Sequence, residues 1–109
     1  MQRARATVGI MAILVSGRSL VEVLERLDEV PDDAILHATK PWSPASPTSV
    51  SDDDCPPAGF AYLLEVGLAH EVIEVWSRWR DGAQPTGLQK CEAVLYYATH
   101  DAYLPRNID

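Results

Sequence analysis

The stretch "HEVIE", His70 to Glu74, holds residue types found on metalloprotease helices. Residues four apart stack on one helix face, so His70 and Glu74 could reach one metal ion, with Glu71 beside them. A zinc hydrolase of this kind needs a second histidine at the Glu74 position and a third ligand elsewhere, and neither is evident. The apolar stripe expected of the same helix, Leu68, Val72, Val75, Trp76 and Trp79, leaves His70, Glu71 and Glu74 on the wet side. They read as a solvated polar face, with a metal-dependent hydrolase as the weaker alternative.

"DDDC", Asp52 to Cys55, offers three carboxylates and a thiol. The calcium-loop spacing D-x-[DN]-x-[DN]-G is absent, and three adjacent aspartates cannot all point at one ion. Two readings stay open: a solvated loop tip whose charges repel one another, and an acidic knob for a lysine-rich or arginine-rich partner. No histidine lies close in sequence to activate Cys55, and Cys91 falls on an apolar stripe. His100 and Asp101 are adjacent, so on a helix they point about 100° apart and form no dyad; a structural role is expected of both. The reading has no catalytic residue, no metal ligand set and no cofactor.

Charge narrows the partners. The net charge is −7, and the three arginines before Ser19 stand without an acid. From Ser19 onward, six basic residues face sixteen acidic ones, a net of −10. Such a body repels phosphate backbones, which argues against nucleic acid, and it attracts a basic protein. The two cysteines fit neither a disulfide scaffold nor a zinc knuckle and read as reduced thiols in a cytoplasmic protein. The apolar run Val8 to Val15 follows two arginines, but it is too short for a membrane span and no A-x-A site follows. Residues 1–18 are read as an apolar arm that pairs with a sheet edge, in its own chain or in a homodimer. A dispensable extension ahead of Met11 is the alternative. Residues 19–109 are read as one domain.

The elements that must hold these groups follow from periodicity and caps. Ser19 with Glu22 forms a capping box ahead of Leu20, Leu24 and Leu27, and Pro31 closes that helix at Val30. Ala34 to Ala38 is a short strand. Pro41 to Pro57 carries five prolines and reads as an ordered Ω-type loop, with room for an edge strand from Thr48 to Val50. Within it Trp42 either folds over the sheet as a lid or stands out as an interface anchor. Phe60 to Val66 reads as a central strand with Phe60, Tyr62, Leu64 and Val66 on one face. Gly67 breaks it, and a helix runs from about Leu68 to Arg80. Thr86 with Gln89 caps a third helix whose inner face is Leu88, Cys91, Leu95, Ala98 and Ala102, ended by Pro105. This order predicts a small α+β domain: a short sheet, about three helices and a proline-rich acidic loop between strands. Tyr62, Leu64, Trp76, Leu95 and Leu24 are expected to share the core.

"LVEVLERLDEVPDDAILHA", "PWSP", "DDD", "YLLEV" and "LQKCEAVLYYATHDAYL" together resemble a family of small acidic bacterial domains of unknown function. The resemblance runs from about Ser19 to Leu104. Its most specific part is the closing "YY…xDA" signature, here Tyr96, Tyr97, Asp101 and Ala102. It implies the α+β order above and, by association only, immunity or antitoxin proteins that neighbour toxins. The functional expectation is therefore a non-enzymatic cytoplasmic binding module that blocks or accompanies a basic partner. Its expected contact residues are Trp42, Asp52, Asp53, Asp54, Glu71 and Glu74. A self-associating accessory or scaffold subunit is the alternative.

Overall fold

In the computed structural model, which describes residues 18–105, Ser19 and Glu22 close a capping box. Ser19 Oγ accepts from the Glu22 amide at 3.3 Å, and the Glu22 carboxylate accepts from the Ser19 amide at 3.0 Å. That backbone bond, before any other cause, holds the Glu22 carboxyl below its ordinary range. Helix α1 then runs Leu20–Glu25 and buries Leu20, Val23 and Leu24. It is shorter than expected. From Arg26 the chain tightens into a 3-10 turn, Leu27–Glu29, and Val30 is extended ahead of Pro31. The expected arm, with its run Val8 to Val15, lies outside the described residues except for Arg18.

Among the described residues, three strands form one antiparallel sheet in the order β2-β1-β3: β1 Ile35–Ala38, β2 Thr48–Ser51 and β3 Ala61–Glu65. The expectation of a central strand at Phe60 to Val66 is corrected here. β1 is central and buried throughout, while β3 stands beside it at an edge. The apolar density that suggested a central position comes from a bulge. Leu36 pairs with Leu64 but His37 pairs with Tyr62, so Leu63 is an extra residue on β3. The bulge lets both Leu63 and Leu64 be buried and leaves Tyr62 42% exposed. Tyr62 is therefore not a core residue.

Helix α2, Val66–Arg78, follows β3 without a break. Gly67 lies in its first turn, donating its amide to Asp32 O at 3.0 Å. The helix buries Val66, Ala69, Val72, Val75 and Trp76, while Leu68 is half-buried and Trp79 exposed. Helix α3, Gly87–His100, opens on the Thr86–Gln89 capping box. It packs against α1, α2 and β3 together, so its buried residues are Cys91, Ala93 and Val94 rather than one simple stripe. Leu88, expected inside, is 64% exposed, Leu95 and Ala98 are half-buried, and Ala102 is exposed. α3 stops at His100, ahead of Pro105. Asp101 takes a left-handed conformation (φ 56°) and donates its amide to Tyr97 O at 2.8 Å, so it is the backbone of Asp101 that caps the helix.

The core lies between the helices and one face of the sheet. Leu36, Ala38, Val50 and Leu64 meet Leu20, Leu24, Val72, Trp76 and Val94 there. The chain is thus a small α+β domain. Of the five residues expected to share the core, Leu24, Leu64 and Trp76 do so, and Leu95 packs against its margin. No helix among the described residues is long and apolar enough to cross a membrane.

Candidate functional site

β2 cuts the proline-rich stretch in two, so it is not a single Ω-type loop. The half after β2 carries the aspartates. Ser51 Oγ accepts from the Asp53 amide at 3.3 Å and donates to Asp53 O at 3.1 Å. Asp53 Oδ1 then accepts from the Cys55 amide at 2.9 Å. Such local side-chain turns suit a chain that has no ladder to join. They set Asp52, Asp53 and Asp54 along the rim of an open hollow of about 500 Å³. Its other walls are Ile35, Tyr62 and Glu65.

Tyr62 and Glu65 were not expected here, and the bulge explains their presence. They oppose His37 and Ile35, which alternate along β1 and so share a face. Three positions apart on a regular strand, Tyr62 and Glu65 would face opposite ways; the extra residue at Leu63 turns them to the same side. Burial, then the charges of Glu65 and Asp54, then a hydrogen bond to Glu65, push the Tyr62 hydroxyl above its ordinary range. The hollow therefore keeps a neutral phenol among four carboxylates. Four carboxylates lining one open hollow make it negative, and a cationic group placed there is attracted to it.

The other candidate residues stand apart. Trp42 is half-buried against the core, donates Nε1–H to Ala38 O at 3.1 Å, and carries Lys40 Nζ 4.6 Å above its ring. It folds back onto the core and keeps part of its surface open. Glu71 and Glu74 are exposed on α2 and do not line the hollow. Glu71 accepts a hydrogen bond from the Tyr103 hydroxyl, which raises the pKa of that tyrosine. His70 turns away from both, with Nδ1 3.9 Å from Asp28 and Nε2 3.8 Å from Asp32. "HEVIE" thus does not converge on a point. Among the described residues, no three histidine, cysteine, aspartate or glutamate side chains are grouped to hold a metal ion.

Cys55 is exposed in the aspartate loop, whereas Cys91 is buried. Burial, with a smaller contribution from Glu25, pushes the Cys91 thiol up to about 11. His37 is fully buried on β1, edge-on to Tyr62 at 5.8 Å, and among the described residues neither ring nitrogen has a hydrogen-bond partner.

Comparison of the chain with protein-family models, with curated proteins and with solved structures finds no match. The hollow and its chemistry therefore carry the functional argument.

Proposed function

We propose that this chain is a protein-binding module whose acidic hollow receives a lysine or arginine side chain from a basic protein partner. The observation that carries this reading is that Asp52, Asp53, Asp54 and Glu65 line one hollow together with Tyr62. A guanidinium or ammonium entering there gains from several carboxylates at once. The net charge of −7 steers a basic partner toward it and repels nucleic acid. A non-enzymatic, cytoplasmic role belongs to the same proposal, and so does the resemblance to small acidic bacterial domains. Within it, an inhibitor of the immunity or antitoxin kind is the finer reading. A scaffold subunit is its alternative.

The test needs a basic probe and two salt concentrations. Titration with an arginine-rich peptide, followed by amide chemical shifts, is expected to move Asp52 to Asp54, Tyr62 and Glu65 first. Replacing all three aspartates by asparagine is expected to slow association about tenfold at low salt, with the deficit shrinking as salt rises. Shifts centred on Glu71 and Glu74 instead would move the surface to α2. Unchanged rates for the triple variant would sink the proposal.

A further inference from the structure

The two outer strands of the sheet end differently. At the start of β2 the outer edge is taken, because Arg18 O accepts from the Thr48 amide at 2.9 Å and Ser19 bridges Pro47. β2 is also covered, with Thr48 and Val50 fully buried. β3 has β1 on one side and, among the described residues, no strand on the other. Successive residues of an edge strand send their N–H and C=O groups alternately toward the partner strand and away from it. Apart from the ladder with β1, the main chain of residues 61–64 makes no backbone hydrogen bond to another described residue. The side chains are open too: Ala61 is half-buried, and Tyr62 and Glu65 are exposed.

We infer that β3 takes up an extended segment of a basic protein partner as an added strand, with alternate lysine or arginine side chains turned to the acidic hollow. Charge selects that occupant. Tyr62 and Glu65 belong to β3 itself and line the hollow together with Asp52, Asp53 and Asp54. A second copy of the chain would bring its own net charge of −7 against the same edge, and like charges facing each other across a strand pair disfavour it. A basic extended segment supplies both things that the site lacks. Its main chain offers the donors and acceptors of a ladder, and every second side chain falls on the hollow's side. β3 has only five residues, so a short segment suffices. This inference rests on the proposed reading of the hollow and adds the mode of capture. Main-chain bonds hold the segment, and the carboxylates select its side chains.

Amide exchange of the full chain with a short peptide alternating arginine and valine tests this. In an extended peptide of that pattern the arginine amides lie along one edge and the valine amides along the other. Bound peptide is expected to slow exchange of the outward amides among residues 61–64 at least about tenfold. N-methylating one of the two amide sets is expected to weaken binding at least about tenfold, while methylating the other leaves it nearly unchanged. Equal affinity of the two methylated peptides overturns strand addition. Slow exchange of every amide of residues 61–64 in the free chain also overturns it, because the edge is then filled by the chain itself or by a second copy. The two readings fail separately. If Asp52→Asn, Asp53→Asn and Asp54→Asn together weaken the peptide at low salt while both methylated peptides bind alike, the hollow remains the receptor and strand addition falls. A peptide that does not bind at all sinks both.

Discussion

The two halves of the proline-rich stretch share their prolines but have opposite structural fates. Before β2, residues 39–47 are tied into the fold. Their carbonyls meet the first amides of α1, with Leu20 N–H donating to Ser46 O at 2.9 Å and Val21 N–H to Pro44 O at 3.0 Å. Ser46 is buried and accepts from the Ser43 amide at 2.8 Å, and Trp42 closes over the core. After β2, residues 52–59 are all exposed, and the side-chain hydrogen bonds there run among Ser51, Asp53 and Cys55. The difference lies in the neighbours. A helix N-terminus has free N–H groups that need acceptors, and the first loop supplies them. The second loop faces a hollow lined by its own like charges.

This contrast can be broken by mutation. Trp42→Ala removes both ring packing and the bond to Ala38 O, and is expected to cost about 2–4 kcal/mol in denaturant melts. Ser46→Ala leaves the Ser43 amide without its acceptor, for an expected cost of about 1–2 kcal/mol. Replacing Asp52, Asp53 and Asp54 together by asparagine is expected to change stability by less than about 0.5 kcal/mol in either direction. A loss beyond about 1 kcal/mol would show that the second loop is as integral as the first. The smallest effect is that of a label. Iodoacetamide at pH 8 is expected to alkylate Cys55 with no change in Tm. Cys91, its thiol at about 11, is about 0.1% thiolate there and stays unlabelled until the chain unfolds.

Local chemistry made much of the fold legible. Ser19 with Glu22 and Thr86 with Gln89 mark helix starts because a capping box lies within four residues. Long-range pairing did not announce itself. Nothing local to "FAYLLEV" says that Leu63 is an extra residue, so alternation put Tyr62 inside and separated it from Glu65. For the same reason the aspartates were legible as an acidic group, but their two partners across the hollow were not. The stripe of α3 was blurred because it meets neighbours on several sides. At Gly87 an added Cβ would meet the Glu25 side chain of α1, a neighbour that the periodicity of α3 does not encode.

The exposure of residues 52–59 also bears on how this chain can change over generations. Lengthening a loop costs little free energy, about 0.6 kcal/mol for each doubling. An insertion between Pro56 and Gly59 would leave every strand pairing and both capping boxes as they are. Insertions between Pro41 and Pro47 would instead disturb the acceptors of α1. Variation in length is therefore expected to collect in the second half, where it alters reach and charge at the hollow's rim while the scaffold keeps its shape.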